Sequence, residues 1–219
     1  MIARNTTIGA RNKIFQFASV GEDSQDLKYK GEPSRLEIGD ECRIREFASI
    51  HRGTEGGGML TKLGNRVLVM NYAHIAHNCK IGDDVILTNG SQLGGHCIVE
   101  EFAAIEGMAG VHQFCKVGAH AFVAAGAKVA QDVPPFAMVA GAERARLAGI
   151  NEVGLKRRGF DADTINAIKS ATRTIFFSKL SREEALKKVT DDLGNFPEVR
   201  RLVDFIANSE RGVVGRERE

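Results

Sequence analysis

From Leu63 to Pro134 the chain repeats every six residues without a slip. The first position of each hexad is aliphatic throughout: Leu63, Val69, Ile75, Ile81, Leu87, Leu93, Val99, Ile105, Val111, Val117, Val123 and Val129. The fifth position is small throughout, from Val67, Ala73 and Cys79 to Ala121, Ala127 and Val133. A strand repeats every two residues and a helix every 3.6, so neither alone gives a strict period of six. A short strand, a turn and the next strand does. Three such units close a triangular coil of eighteen residues. Stacked coils then pair their strands along the axis, with the aliphatic ladder filling the prism. The pattern predicts a parallel β-helix.

The repeat also runs upstream, in phase at Ile2, Ile8, Ile14 and Val20 and again at Ile38, Ile44 and Ile50. Between these runs lies the polar stretch GEDSQDLKYKGEPSR, Gly21 to Arg35, which reads as a loop thrown out from one corner. A second break, GTEGGGML from Gly53 to Leu60, shifts the phase by one residue; its three successive glycines suit a loop tip or a close backbone approach. Long loops on a solenoid are candidates for site-forming elements. The chain enters the repeat at Ile2 with nothing ahead of it to cover the open strand edges, an aggregation liability.

After Pro134-Pro135 the hexads stop and helix signals take over. Asp161 can cap a helix running toward Phe177, Ser181 to Glu184 fits a capping box, and Pro197 suits the first turn of a helix with Val199, Leu202, Val203 and Ile206 on one face. The expected organisation is a β-helix over 1–133, a connection over 134–150 and a C-terminal helical domain over 151–219 that covers the end of the prism. A formal net charge of +2, with no basic run interleaved with aromatics, argues against a nucleic-acid binder. No apolar stretch reaches the length of a membrane span and no signal peptide precedes the repeat, so a soluble, cytoplasmic protein is expected.

All four cysteines, Cys42, Cys79, Cys97 and Cys115, fall in the small fifth slot and have no CxxC spacing. They read as small buried apolar residues rather than a metal or disulfide site. The six histidines, His51, His74, His77, His96, His112 and His120, avoid both inward slots and should point outward. Isolated surface histidines are ordinary, but His77, His96 and His112 belong to hexads eighteen residues apart and stack on one side of the prism. At a strand spacing of about 4.8 Å they form a column of roughly 10 Å, and imidazole is the side chain best poised to accept a proton near neutral pH. Gly94-Gly95 lies on the same face; it reads either as a place where a ligand approaches an N–H able to stabilise an oxyanion, or as a tight corner needing positive φ.

The segments QFASVGEDSQDLKYKGEPSR, SIHRGT, NYAHIAHNCKIG, GVHQFCKVGAHAFV, AQDVPP and GLKRRGF resemble the UDP-N-acetylglucosamine 3-O-acyltransferases of lipid A biosynthesis, over nearly the whole chain. The resemblance implies a left-handed coil, although parallel crossovers are in general right-handed. It also implies a homotrimer with active sites between subunits, acyl carrier protein as donor, UDP-N-acetylglucosamine as acceptor, and no cofactor or metal. By similarity His77 is the general base and the Gly95 N–H the oxyanion donor. Asp26, Lys28, His74, His96 and Gln113 bind substrate, and Asn151, Arg157 and Arg158 meet the nucleotide. The loop carrying Asp26 and Lys28 is expected to reach the His77 of another subunit. His51 and His112 lie in matching motifs with less defined roles.

The chain departs from the family in several places. Asn78 follows His77 where an acidic residue is common, and can orient the ring as a weaker acceptor. A carboxylate seen near the nucleotide in some members falls on Val153, with Glu152 displaced by one. A glycine limiting acyl length in some members falls on Ala125. Roughly the first two to three coils are expected to be missing. Two other classes compete. A metal hydratase like the γ-class carbonic anhydrases needs three histidines converging on zinc, and the His74–His77 spacing does not resemble that pattern. A non-catalytic scaffold would trimerise without turning over a thioester. The N-acyltransferase of the same pathway normally carries an additional N-terminal domain.

Overall fold

A computed structural model describes residues 1–215; residues 216–219, the end of the expected helical domain, lie outside the described residues. The hexads fold as a left-handed parallel β-helix with three faces. The first face stacks Thr6–Ile8, Arg35–Ile38, Leu60–Leu63, Lys80–Ile81, Ile98–Val99 and Lys116–Val117. The second stacks Lys13–Ile14, Arg43–Ile44, Leu68–Val69, Ile86–Leu87, Ala104–Ile105 and Phe122–Val123. The third stacks Ser19–Glu22, Ser49–His51, His74–Ile75, Gln92–Leu93, Gly110–Val111 and Lys128–Val129. From Leu63 onward the register advances by one coil per strand, Ile75 pairing with Leu93 and Leu93 with Val111. The ladder residues Leu63 to Val129 are buried, and the four cysteines sit free and buried beside them. Burial pushes the Cys115 thiol up to about 12, and the Cys97 thiol is raised by its contact with Cys79 and by burial. These thiols fill space.

Each corner turns on a residue in the left-handed region at the fourth hexad position, among them Arg66 (φ 55°), Tyr72 (61°), Asn78 (60°), Asp84 (57°), His96 (62°) and Phe102 (60°). This conformation costs roughly 1–2 kcal/mol for a residue with a Cβ. Stacking of like positions offsets part of it: Phe17–Phe47 and Phe47–Tyr72 lie 5.1 and 4.9 Å apart at one corner, and Phe102–His120 4.8 Å apart at another. The usual right-handed preference arises when long twisted strands feed a helical crossover. Here most strands are two residues long and the crossovers are αL corners.

The hexads end at Val133, but the sheet does not. Ala137–Ala140 adds to the second face in parallel, Met138 opposite Phe122, and Arg146–Ile150 closes it as an antiparallel hairpin. Pro134 and Pro135 have no N–H to donate, and the chain turns the next corner at Phe136 (φ 65°). Among the described residues four helices follow: α1 (Glu152–Arg157), α2 (Ala162–Phe177), α3 (Arg182–Leu193) and α4 (Pro197–Ala207). Asp161 caps α2 through the Thr164 N–H at 2.7 Å, Ser181 and Glu184 form the capping box of α3, and Pro197 opens α4. Val199, Leu202 and Ile206 of α4 pack with Ala167 and Ala171 of α2 and Val189 of α3. The chain then returns to the prism, where Val214 N–H bonds the Asp132 carbonyl at 2.8 Å and Ser209 Oγ donates to Asp132 Oδ2 at 2.7 Å. At the other end Ile2 is 54 % exposed and Ile8 and Ile14 are partly buried. Among the described residues no helix is long and apolar enough to cross a membrane.

Candidate active site

The corner between the third and first faces carries the histidine column. The hexad Ile75 to Lys80 places Ile75 and Cys79 inward and leaves His77 and Asn78 at the turn. Asparagine suits that αL position, since a short polar side chain can hydrogen-bond locally. The His77 ring meets His96 edge-on at 5.1 Å, and His96 stacks on Phe114 at 4.5 Å in the coil beyond.

Gly95 explains itself only in three dimensions. Its φ is not in the left-handed region; the residue that turns this corner is His96 (φ 62°). A Cβ at Gly95 would lie 2.6 Å from both Cε1 and Nε2 of His77, and one at Gly94 would lie 2.7 Å from the Gln113 amide nitrogen. The glycine pair is therefore present because a ring and the next coil lie directly on it. The Gly95 N–H has no acceptor among the described residues.

Two loops wall the cleft. The first, over 23–34, is pinned from beneath by Arg52, a buried guanidinium that donates to the Gly21 carbonyl at 2.6 Å, to Asp23 and to Tyr29 Oη at 3.1 Å. Within it Asp26 Oδ1 accepts the Lys28 N–H at 3.0 Å, which leaves Oδ2 aimed at His77 Nε2, 3.8 Å away. The second loop, from Gly53 to Met59, joins the first where Glu32 Oε1 accepts the Glu55 N–H at 3.2 Å. Its three successive glycines differ in surroundings: Gly58 has φ 79°, a Cβ on Gly57 would strike Asn78 Nδ2 at 2.4 Å, and Gly56 faces open space.

The resulting cleft has a volume of about 1020 Å³ and is lined by Asp26, Lys28, His51, Thr54, His74, His77, His96, Gln113 and Phe114, together with Gln25, Leu27, Lys30 and Glu32. It thus gathers Asp26, Lys28, His74, His77, His96 and Gln113, with Gly95 beneath the ring. Asp26 and Lys28 line the cleft of their own chain's His77, contrary to the expectation that they reach another subunit, because Arg52 ties the loop back onto the coil from which it leaves. The histidines point out of the prism, yet His51 is buried, covered by the loops. Burial lowers its pKa to about 4, helped by the neighbouring His74 and His77. Burial likewise lowers His74 and His96, with the nearby His77 adding to it in both. Ser49 Oγ lies 2.7 Å from His74 Nδ1, and His51 meets His74 edge-on at 4.9 Å. Among the described residues no group of three or more His, Cys, Asp or Glu side chains is arranged to hold a metal ion.

Five of the expected residues lie elsewhere. Asn151, Arg157 and Arg158 line a second cavity of about 530 Å³ on the second face, with Phe102, His120, Phe122, Met138 and Ile150. Asn151 is the cap of α1: its Oδ1 accepts the Gly154 N–H at 3.1 Å and its Nδ2 donates to the His120 carbonyl at 2.9 Å. Arg158 lies over the Phe102 ring at 4.4 Å, Glu152 pairs with Lys156 at 2.7 Å, and Val153 is exposed. Ala125 sits exposed at the corner between the second and third faces. His112 Nδ1 lies 3.1 Å from Arg211 Nη2, outside the cleft. Sequence reasoning missed Thr54 and Arg52. No spacing marks them, because each acts across coils.

Comparison with known proteins agrees with this architecture. The family model for UDP-N-acetylglucosamine O-acyltransferase, domain 2, matches residues 132–214, and that for the bacterial transferase hexapeptide (six repeats) matches residues 60–95. The chain is 47% identical to the acyl-[acyl-carrier-protein]–UDP-N-acetylglucosamine O-acyltransferase of Myxococcus xanthus over 208 residues, 95% of this chain and 80% of the relative. It is 45% identical to the Thiobacillus denitrificans enzyme of the same name over 204 residues, 93% of this chain and 79% of the relative. The solved UDP-N-acetylglucosamine acyltransferase of Bacteroides fragilis superposes with a TM-score of 0.93 at 39% identity, covering 97% of this chain and 83% of that one. The Acinetobacter baumannii structure superposes at 0.92 with 41% identity, covering 96% and 81%. With so much of each chain shared at these identities, this protein belongs to the acyl-[acyl-carrier-protein]–UDP-N-acetylglucosamine O-acyltransferase family.

Proposed function

We propose that this protein moves an acyl chain from the thioester of acyl carrier protein to the 3-position oxygen of UDP-N-acetylglucosamine, the first step of lipid A biosynthesis, with His77 as general base. The observation that carries the reading is the His77 ring itself. Its Nδ1 is engaged by Asn78 Oδ1 at 2.8 Å, and its Nε2 is turned to the cleft beside Asp26 and above Gly95. Nε2 takes the proton of the sugar 3-hydroxyl as that oxygen attacks the thioester carbon. The carbonyl oxygen gains the negative charge and is met by the Gly95 N–H, whose bond is unspent. Collapse breaks the carbon–sulfur bond, and the imidazolium gives its proton to the departing sulfur, so the carrier leaves as the thiol and His77 returns to the neutral base. Asp26 faces that imidazolium and stabilises it. Lys28, His74, His96 and Gln113 line the path of the acceptor and the acyl chain.

The nucleotide half of the site calls for a second chain. Arg157 and Arg158 suit a diphosphate, but they line a cavity on the second face rather than the His77 cleft. From Leu68 onward the outward residues of that face, Leu68, Ile86, Ala104, Phe122 and Met138, are apolar, as a surface packed on a neighbouring copy requires, whereas the two preceding rungs carry Lys13 and Arg43. A homotrimer in which Arg157, Arg158 and the exposed Ala125 corner approach the neighbour's cleft completes the site. The reading carries with it the cytoplasmic location and the need for no cofactor or metal expected from the family.

The test is His77→Ala. Turnover should fall by roughly 10²–10⁴, the range for loss of a general base, with melting unchanged. A variant with near-parental turnover overturns the mechanism.

A further inference from the structure

The neighbours of His77 specify which of its nitrogens holds the proton, and the specification starts at Thr54. An amide side chain can ordinarily be turned either way, so the identity of the atom facing a histidine is undetermined. Here the backbone of Thr54 settles it. Thr54 is extended (φ −130°, ψ 165°), so its N–H and C=O face the same way and meet the Asn78 amide as a pair. The Thr54 N–H, which can only donate, lies 3.0 Å from Oδ1; the Thr54 carbonyl, which can only accept, lies 3.1 Å from Nδ2. The Thr54 hydroxyl donates to the same Oδ1 at 2.8 Å, and the Asn78 N–H is held by Thr61 Oγ1 at 2.8 Å. Asn78 and Thr54 are both buried.

The atom 2.8 Å from His77 Nδ1 is therefore an oxygen with no proton to give. The neutral ring must carry its proton on Nδ1, which leaves the lone pair on Nε2 facing the cleft. Having spent its proton on Asn78, Thr54 Oγ1 presents a lone pair to Nδ1 at 3.4 Å, in the same sense. We infer that Thr54 is a positioning residue of the acyl transfer: it locks the Asn78 amide and thereby holds His77 in the Nδ1–H tautomer with a basic Nε2. An amide can serve where relatives commonly have a carboxylate because the orientation comes from the loop rather than from charge.

This rests on the proposed function for its catalytic meaning, but its test needs no substrate. In protein labelled with 15N-histidine, two-bond 1H–15N correlation at a pH where the rings are neutral reports each tautomer. The parent should show His77 as Nδ1–H. Thr54→Val keeps the backbone N–H and C=O that orient the amide but removes the hydroxyl that donates to Oδ1 and faces Nδ1, so it should weaken the Nδ1–H preference without abolishing it and lower kcat by roughly tenfold with KM little changed, less than loss of the base itself. Thr54→Ser, which keeps the hydroxyl, should restore both readouts, and Asn78→Ala should lose the tautomer preference altogether. A parent ring in the Nε2–H form overturns the inference even if every variant fails to fold. So does an Nδ1–H preference unaltered in Asn78→Ala, which removes the oriented oxygen. A tautomer that responds as stated in a protein that transfers no acyl chain upholds the ring assignment and overturns the proposed function instead.

Discussion

The two residues that give His77 its place have no side chain. Gly95 leaves room for the ring and Gly57 leaves room for the amide behind it. Gly95→Ala should push the ring from its seat, and a displacement of about 1 Å can cost on the order of 10²-fold in rate; kcat measured beside an unchanged circular dichroism spectrum checks this. The histidines also make a stability prediction. Burial lowers His51 to about 4 and lowers His74 and His96, so the unfolded chain binds more protons than the folded one below the ordinary histidine range. Stability should be full above about pH 6.5 and fall as the pH drops toward 4. His51→Gln, which cannot titrate, should flatten that slope in denaturant melts at successive pH values, and an unaltered slope would contradict the assignment. Much of the cleft was legible in the sequence: the hexad phase sent His77 and His96 outward, and the family motifs supplied Asp26, Lys28, His74 and Gln113. Thr54 was not. Its contribution passes largely through backbone atoms to a residue 24 positions away, and nothing in a residue type announces that. Gly95 was assigned a place, but its reason needed the ring above it.

At the scale of the element, the strands are too short to be stable alone and hold by stacking. The ladder residue Ile105 is fully buried between the Leu87 and Val123 rungs. Ile105→Asp would place a carboxylate among aliphatic neighbours with no partner, at a cost on the order of several kcal/mol; a variant that melts like the parent would show the inward phase to be wrong. The twelve-hexad ladder was legible because a single inward slip would expose an aliphatic side chain and bury a polar one. The continuation of the second face through Ala137–Ala140 and Arg146–Ile150 was not legible. A hairpin closing a prism carries no hexad signature, and its signals were masked by Pro134-Pro135 and Gly141. The caps at Asp161 and Ser181 were legible since capping is a local hydrogen bond with a local sequence cause.

At the scale of the whole molecule, the cleft and the Arg157–Arg158 cavity lie apart on one chain, and the proposed homotrimer would bring them together. Mixed assemblies of His77→Ala chains with Arg157→Ala/Arg158→Ala chains should regain activity, since one interface then joins an intact His77 to an intact arginine pair. Assemblies of His77→Ala with Lys28→Ala should regain little, because both residues line one chain's cleft. The reverse pattern would return the loop to the neighbouring subunit. Acyl carrier protein is acidic, so Arg144, exposed beside Gln131, and Arg146, half-buried on the last strand, are candidates for its docking. Reversing both charges should weaken carrier binding and flatten its salt dependence while sparing the nucleotide. Equal losses for both substrates would instead mark a folding defect.

The most direct measurement is mass spectrometry of the product formed from a panel of acyl carrier protein thioesters and UDP-N-acetylglucosamine, with its 3-amino analogue alongside. The account predicts a single ester at the sugar 3-position, made by the parent and lost in His77→Ala. Free fatty acid with no acylated nucleotide, or an ester formed equally by the His77→Ala protein, would contradict it.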